Sequence, residues 1–191
     1  MASGSSKLGI FLATAMASAL LSACSGYHPA PKAFTEAVYQ PYRLDAGDRL
    51  RVTVFEQPGL TGVYSVDQAG YIAYPLVGAV AARGHTAQEL EGLIAGQLRE
   101  GYLRDPDVSI EVERYRSFYV LGEVGQAGQY SYVAGMTVQN AIAIAGGYTP
   151  RANQRNVDIT RTINGKSITG RVSISDPILA SDTIYVRERF F

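Results

Sequence analysis

Apolar and polar residues alternate over short stretches in the first half of the chain, a pattern typical of strands with one buried face. Leu50, Val52 and Val54 are separated by Arg51 and Thr53, which predicts a first strand. GVYSVD and YIAYPLVG predict two further strands joined by the turn DQAG, and VSIEV predicts another after DPD. We expect these strands to form one compact sheet.

A helix is predicted between these strands. Thr86 is followed three residues later by Glu89, the spacing of a capping box in which each side chain bonds a backbone amide of the other residue. Apolar residues then recur at helical spacing, at Leu90, Leu93, Ile94 and Leu98. Residues 42–115 are therefore predicted to form a β-rich domain with one helix.

The second half of the chain predicts the order β-β-α-β-β-β. FYVLGEV and GQYSYV flank the glycine-rich GQAG as a hairpin, and a short helix begins at Thr137 and ends at paired glycines. Asn164-Gly165 is a strong signal for a second hairpin, and SDTIYVRERF predicts the last strand. Residues 116–191 are thus predicted to form a small β-grasp sheet packed on one helix, and the fold class is α+β.

A short motif occurs near both ends of the folded part. LDAGDRLRV at 44–52 and ILASDTIYV at 178–186 share an apolar residue, an alanine, a small residue, an aspartate and then alternating apolar residues. An aspartate that enters a strand can accept hydrogen bonds from nearby backbone amides in the turn. We therefore assign structural rather than catalytic roles to Asp48 and Asp182.

The first 23 residues have the pattern of a secretory leader. One cation, Lys7, precedes fourteen uncharged residues from Leu8 to Leu21, and small residues follow. A membrane-spanning helix would need about 18 or more apolar residues. A buried helix of an ordinary core is the alternative, but such a helix would have one polar face, which this stretch lacks. Residues 1–23 are predicted to be a signal peptide.

Cys24 is the only cysteine of the 191-residue chain, so it cannot form an intramolecular disulfide. Leu21, Ser22, Ala23 and Cys24 resemble the lipobox of bacterial lipoproteins. The resemblance implies that the Cys24 thiol receives a diacylglyceryl group, that the leader is cut before it, and that the new amino group is acylated. Two or three acyl chains anchor a protein stably. Ser25 stands where an aspartate commonly retains lipoproteins in the inner membrane, so the outer membrane is implied.

Composition limits the kinds of segment, partner and metal site that the chain can contain. Residues 24–41 contain three prolines and no sustained apolar period, and we predict that they form a tether. Without the leader, the chain has one more acidic than basic side chain, so no cationic excess favours nucleic acid as a partner. One cysteine and two histidines exclude thiolate-rich zinc sites. We expect no cofactor and no metal.

Several longer motifs together resemble the polysaccharide biosynthesis/export family. YRLDAGDRLRVTVF, GYIAYPLVGAVAARGHTAQELEGLIAGQL and DPDVSIEV resemble its export domain, and VLGEVGQAGQYSYVAGMTVQNAIAIAGGYTPRA resembles a soluble-ligand-binding β-grasp (SLBB) module. With the lipobox, this is the arrangement of Wza- and GumB-like outer-membrane lipoproteins. This chain has Ser181-Asp182 where the module usually has Gly-Asp before its last strand. Larger members continue into further modules, so we expect a short form with one SLBB module.

The resemblance implies a lipoprotein on the periplasmic face of the outer membrane that forms part of a capsular or exopolysaccharide export channel. Its implied partners are further copies of the same chain in a ring, the exported polysaccharide, an inner-membrane polysaccharide co-polymerase, and the outer membrane through the acyl anchor. The crossing of the membrane itself is expected to need another protein or assembly.

An enzyme is not expected, because the sequence offers no nucleophile with a base and no opposed carboxylate pair. The alternative function is that of a monomeric periplasmic lipoprotein that binds a glycan or another ligand on its β-grasp face. Tyrosines of the second domain could stack on sugar rings, namely Tyr115, Tyr119, Tyr130, Tyr132 and Tyr148. Tyrosine is also favoured in strands for packing alone, so we expect most of them in the core.

Overall fold

The structure is a computed structural model, and it describes residues 29–189. The described chain contains helices α1 (Lys32–Val38), α2 (Ala87–Arg99) and α3 (Val138–Ile144). Its strands are β1 (Arg49–Val54), β2 (Gly62–Ser65), β3 (Tyr71–Tyr74), β4 (Gly78–Ala81), β5 (Val108–Arg114), β6 (Phe118–Gly122), β7 (Gly128–Tyr130), β8 (Asn156–Ile163), β9 (Lys166–Ser173) and β10 (Thr183–Val186). This is the predicted α+β class, with two β-rich domains.

The first domain contains two small sheets rather than the single sheet that we expected. One sheet has the order β2-β1-β5, and the other is the β3–β4 hairpin. Leu50, Val52 and Val54 of β1 are buried, as their alternation predicts. The hairpin shares the core of the first sheet through Ile72, Tyr74 and Val80, and the buried Tyr74 hydroxyl donates a hydrogen bond to the carbonyl of Leu60, just before β2, at 2.8 Å.

Helix α2 packs on β5 and begins at the predicted capping box. The Thr86 hydroxyl accepts a hydrogen bond from the Glu89 amide at 3.1 Å, and the Thr86 amide donates one to the Glu89 carboxylate at 2.9 Å. Its buried residues are Leu90, Ile94 and Leu98, each of which contributes about 1.5–3 kcal/mol through burial. Leu93, which shares the helical spacing, is exposed instead.

The second domain has the predicted order β-β-α-β-β-β. Its sheet has the strand order β7-β6-β10-β8-β9, so the last strand in sequence lies at the centre. Strand β10 is parallel to β6 and antiparallel to β8, and it is shorter than the predicted stretch. Helix α3, capped by Thr137, packs on one face over a core that includes Phe118, Ile159 and Ile184.

Part of the predicted tether is folded onto the second domain, which corrects our expectation for residues 24–41. Phe34 of α1 is buried in the core of that domain, and the Arg161 guanidinium donates a hydrogen bond to the Phe34 carbonyl at 2.9 Å. The Ala30 amide donates to the carbonyl of Arg171 in β9 at 3.1 Å. A seven-residue helix with one buried side chain has no apolar period to detect, and the neighbouring prolines suggested extended chain.

The predicted signal peptide at residues 1–23 and the predicted acylation site Cys24 lie outside the described residues. Within residues 29–189, no helix is long and apolar enough to span a membrane. The limits of the four predicted segments, at 1–23, 24–41, 42–115 and 116–191, remain predictions.

Candidate functional site

The two aspartates of the repeated motif occupy equivalent turns, as predicted. The Asp48 carboxylate accepts a hydrogen bond from the backbone amide of Asp45 at 2.9 Å. In the same way, the Asp182 carboxylate accepts one from the amide of Leu179 at 2.7 Å. Both carboxylates are buried, and each closes a turn by bonding the residue three positions earlier. Their structural roles are confirmed.

The residue before each aspartate has a left-handed backbone. Gly47 has φ +92° and Ser181 has φ +70°. The Gly47 amide donates to the carbonyl of Val66, and the Ser181 amide donates to the carbonyl of Ser117. Glycine adopts this conformation without a Cβ clash, whereas serine is strained by about 1–2 kcal/mol. The replacement of the usual glycine therefore leaves the turn intact but strained.

Asp48 is bonded by Tyr42 and by Arg116, which lies in the segment that connects the two domains. Its carboxylate accepts hydrogen bonds from the Tyr42 hydroxyl at 2.8 Å and from the backbone amide of Arg116 at 2.8 Å. The Arg116 guanidinium approaches the same carboxylate at 3.1 Å. Because Arg116 lies between β5 and β6, these bonds fix the start of the second domain to a buried charge of the first.

The guanidinium of Arg116 contacts both aspartate turns. Its Nε donates to the Ser181 hydroxyl at 2.7 Å, while one terminal nitrogen donates to the Tyr42 hydroxyl at 2.8 Å. The guanidinium carbon lies 5.3 Å from the centre of the Tyr42 ring, within the range of a cation–π interaction. One side chain therefore joins the turn of the first domain to that of the second.

The titration of these groups is consistent with this network. Burial raises the pKa of Tyr42 far above its ordinary value; Arg116 opposes this shift and Asp48 adds to it. The hydroxyl therefore remains protonated and can donate to Asp48. Burial also raises the pKa of Asp182, and the hydrogen bonds and charge of Arg161 oppose that shift.

Asp182 pairs with an arginine of its own domain. The Arg161 guanidinium donates to the two carboxylate oxygens at 2.9 Å and 2.6 Å, in a bidentate arrangement. The side chains of Arg161 and Asp182 are only 4% and 1% exposed. Arg161 also bonds the carbonyls of Phe34 and Pro177, so this pair connects β8, the last turn and α1.

A groove of about 800 Å³ lies over this junction, between α1, the chain before β1 and the tip of the β8–β9 hairpin. Three tyrosines that line it pack edge to face, with ring centres 4.8 Å apart for Tyr42 and Tyr115 and 5.6 Å apart for Tyr115 and Tyr132. The volume is that of a ligand site. The guanidinium groups of Arg116 and Arg161 in its wall are already bonded to buried carboxylates.

The tyrosines that we considered as sugar platforms are mostly part of the core. Tyr132 is buried, and Tyr115, Tyr130 and Tyr148 pack against the core of the second domain. The exception is Tyr119, which is 43% exposed on β6. The expectation that packing explains most of these residues is confirmed.

Sequence reasoning missed the two arginines that bond the aspartate turns. Arg161 follows Val157 and Ile159 in β8 at the period of two, so its side chain is directed to the buried side of the sheet. A charged residue at such a position needs a buried partner. The alternation of β8 could therefore have predicted that Arg161 pairs with a buried acidic residue. Arg116 lies between strands and has no such signal.

Comparison with known proteins agrees with this architecture. The model of the family "Polysaccharide biosynthesis/export protein" matches residues 36–113, and the SLBB domain model matches residues 117–171. The first matched region contains β1 to β4 and nearly all of β5, and the second contains β6 to β8 and most of β9. The chain therefore belongs to the polysaccharide biosynthesis/export family and has an SLBB module after its export domain.

Several curated relatives are similar to this chain. The exopolysaccharide production protein ExoF of Rhizobium meliloti (strain 1021) is 35% identical over 118 residues, which cover 56% of this chain and 28% of the relative. The EPS I polysaccharide export outer membrane protein EpsA of Ralstonia solanacearum is 32% identical over 133 residues, 56% of this chain and 35% of the relative. The polysialic acid transport protein KpsD of Escherichia coli is 27% identical over 141 residues, 72% of this chain and 25% of the relative.

The chain thus spans about a third or less of the length of these relatives. Their names describe the production, export and transport of polysaccharides. They agree with the expectation that the chain is not an enzyme.

Proposed function

We propose that this protein is an acylated lipoprotein of the outer membrane that forms, on the periplasmic face, part of a channel for capsular polysaccharide or exopolysaccharide export. The observation that supports this best is the order of three features along one chain. A sequence that resembles a lipobox and ends at Cys24 is followed by the export domain and then by the SLBB domain. Relatives named as outer membrane export proteins have similar regions.

The anchor would place the second domain close to the membrane. Pro29, five positions after Cys24, pairs with Arg171 of β9, and the following helix α1 is fixed to the same domain by Phe34. An extended chain advances about 3.5 Å per residue, so the acylated residue would lie within about 18 Å of this edge of the SLBB sheet. The SLBB domain, rather than the export domain, would then be nearest to the acyl chains.

The junction supports a function as one rigid unit of a larger assembly. Arg116 bonds Asp48 of the first domain and Ser181 of the second, so both domains would move together. We infer that several copies form a ring through which the polysaccharide passes, and that an inner-membrane co-polymerase delivers the polymer to it.

Cys24→Ala tests the anchor. Because the variant lacks the thiol that would receive the diacylglyceryl group, it should lose labelling by a radioactive or clickable fatty acid and leave the outer-membrane fraction. Ser25→Ala, which keeps Cys24, is the matched control and should remain acylated and membrane-bound. An unlabelled Cys24→Ala protein that still sediments with outer membranes would contradict the anchor.

A deletion strain tests the export function. Surface polysaccharide should be lost while lipid-linked precursor continues to be made, and the wild-type gene should restore export. The mass of the native assembly in mild detergent distinguishes the ring from the alternative. A monomer with affinity for glycans would favour a periplasmic binding lipoprotein, for which the groove over the junction is the supporting observation.

A further inference from the structure

Three large apolar side chains are exposed on the outer face of the SLBB sheet, which is the face opposite α3. Tyr119 and Leu121 of β6 are each 43% exposed, and Tyr185 of β10 is 49% exposed. Buried core residues alternate with them along the two strands, namely Phe118, Val120 and Ile184. Since alternate residues of a strand direct their side chains to opposite faces, the three exposed side chains share the outer face.

The strand register joins these three side chains into one surface, which we call the apolar strip. Strands β6 and β10 are parallel neighbours, and Leu121 is in register with Tyr185. Tyr119 precedes Leu121 by two residues on the same face. Neighbouring strands are about 4.8 Å apart, and alternate residues of one strand are about 6.6 Å apart. The three side chains therefore form a continuous strip rather than three isolated exposed residues.

Polar residues border the apolar strip on the same face. Gln129 of β7 and Thr183 of β10 are both in register with Tyr119. Beyond the end of β10, the Arg187 guanidinium donates a hydrogen bond to the Asp158 carboxylate of β8. A contiguous group of exposed apolar side chains with a polar rim marks a surface that contacts a partner or a membrane.

The apolar strip offers little area to a protein partner. A standard protein interface buries roughly 800 Å² per partner, and three side chains that are each about half exposed supply only a small part of it. The strip also lies outside the groove over the junction, so it does not form the wall of that ligand-sized cavity. A lipid bilayer needs neither a large area nor a matching outline, and it fits this surface better.

The residue types of the strip are those of the membrane–water interface. A tyrosine ring lies at the level of the lipid headgroups while its hydroxyl meets water. Leu121 lies beside the two rings and can bury its side chain against the acyl chains. The apolar stem of Arg187 can cover the adjoining surface while its guanidinium stays at the headgroup level.

The predicted anchor brings a bilayer within reach of this face. Pro29 pairs with Arg171 of β9, and β9 is two strands away from β10 in the sheet. Tyr185 is therefore about 10 Å from the β9 edge. The five residue steps from Cys24 to Pro29 span at most about 18 Å. The acyl chains can thus enter the same bilayer on which the outer face would lie.

We propose that the outer face of the SLBB sheet lies on the periplasmic leaflet of the outer membrane, with the apolar strip inserted at the level of the lipid headgroups. The acyl chains would hold the protein at the membrane, and the strip would fix the orientation of the domain. Because tyrosine and leucine contribute apolar area, the contact does not require anionic lipid. This inference rests on the proposed acyl anchor and goes beyond it, since it assigns a second, non-covalent contact with lipid to a folded surface.

Single tryptophans can report the membrane contact, because the chain contains no tryptophan of its own. Acylated protein carrying Tyr119→Trp or Tyr185→Trp is reconstituted into phosphatidylcholine vesicles, with and without bromine on the acyl chains. Both variants should lose most of their emission in brominated vesicles, because bromine quenches only indole rings that reach the lipid. Tyr71→Trp is the matched control, since Tyr71 is a strand tyrosine of the first domain that is also 43% exposed. Its emission should be equal in the two kinds of vesicle.

A second probe tests whether the strip itself makes the contact. Gln129→Trp lies beside Tyr119 in the strand register and leaves the strip unchanged, so its emission should also be quenched by brominated lipid. Changing Tyr119, Leu121 and Tyr185 together to serine should abolish that quenching. Circular dichroism of each variant verifies folding.

Three results would overturn the proposal. They are unquenched emission of Tyr119→Trp and Tyr185→Trp in vesicle-bound protein, equal quenching of Tyr71→Trp, and quenching of Gln129→Trp that survives the triple serine change. Emission that moves to shorter wavelength without bromine quenching would also contradict it and would identify an interface between copies.

Flotation of the vesicles separates this proposal from the anchor. Protein that floats but is not quenched contradicts the membrane contact alone. Protein that carries no acyl chain, yet floats and is quenched, supports the contact and contradicts the anchor. Protein that does not float contradicts both.

Discussion

The turns at Asp48 and Asp182 have the same backbone hydrogen bonds, but their carboxylates hold different parts of the molecule together. Asp48 is bonded by Arg116, which belongs to the connection between the domains and is 21% exposed in its side chain. Asp182 is bonded by Arg161, which belongs to the same domain and is 4% exposed. One turn therefore connects two domains, and the other consolidates a single core.

The difference lies in the arginine rather than in the turn. Each aspartate bonds the amide three residues before it, and these local bonds use only part of its capacity to accept hydrogen bonds. The remaining capacity binds whichever guanidinium the tertiary structure brings to it. The same local motif can thus stabilise a domain or set the relation between two domains, and this suggests mutations that separate the two effects.

The largest effect is expected at the buried pair of the second domain. Arg161→Met leaves the Asp182 carboxylate buried without its bidentate partner, and breaking such a pair costs about 3–5 kcal/mol. It also removes the bond from Arg161 to the Phe34 carbonyl, so α1 should detach. We expect the free energy of unfolding of the second domain, measured by urea denaturation, to fall by this amount.

An exposed ion pair of the same domain provides the control. Arg151 and Glu188 are 2.5 Å apart, but their side chains are 67% and 43% exposed, so Arg151→Met should destabilise the domain far less than Arg161→Met. Asp182→Asn combined with Arg161→Met should be more stable than Arg161→Met alone, because no buried charge remains unpaired. Equal destabilisation by Arg161→Met and Arg151→Met would mean that burial of the pair is unimportant.

The aspartate turns could be predicted from the sequence, whereas their arginine partners could not. The two turns are local, so the spacing of Ala, a small residue and Asp predicted them, as the spacing of Thr86 and Glu89 predicted the cap of α2. The arginine partners are not local, since Arg116 is 68 residues from Asp48 and Arg161 is 21 residues from Asp182. Only the folded chain brings them together.

Dependence on contacts between distant residues also explains why α1 and the strand order of the second domain were not predicted. Helix α1 depends on the single buried residue Phe34 and on a contact with Arg161, 127 residues away. The outer face of the SLBB sheet depends on the central position of β10 between β6 and β8, a topology that alternation along one strand does not specify. Periodicity predicts which face of a strand is buried but not which strands are neighbours.

A smaller effect is expected at the junction. Arg116→Met removes the bonds to Asp48, Tyr42 and Ser181, but the Asp48 carboxylate keeps its bonds to the Tyr42 hydroxyl and to the Asp45 and Arg116 amides. We therefore expect a cost of about 1–3 kcal/mol. The cost should appear as a loss of coupling, with the two domains unfolding in separate transitions in calorimetry.

Arg51→Met is the control for this variant, because the Arg51 pair with Glu113 lies within the first domain and its side chain is 52% exposed. It should leave the domains coupled. Small-angle scattering gives a second measurement, since uncoupled domains should have a larger radius of gyration. A single transition and an unchanged radius for Arg116→Met would show that other contacts hold the domains together.

The smallest effect is expected at Ser181, where two contributions oppose each other. Ser181→Gly relieves the strain of a left-handed backbone, which stabilises the fold by about 1–2 kcal/mol. Two effects oppose this gain. The greater conformational freedom of glycine in the unfolded chain costs about 0.5–1 kcal/mol of stability, and loss of the hydroxyl that accepts from Arg116 costs about 0.5–1.5 kcal/mol. The net change in the free energy of unfolding should be within about 1 kcal/mol of zero.

Ser181→Ala keeps the strain and loses the hydroxyl, so it should be less stable than Ser181→Gly. In the Arg116→Met background the hydroxyl has lost this donor, and the cost of Ser181→Ala should shrink by about 0.5–1.5 kcal/mol in a double-mutant cycle. An unchanged cost would mean that the serine hydroxyl does not connect the two turns, and that Arg116 joins the domains through Asp48 and Tyr42 alone.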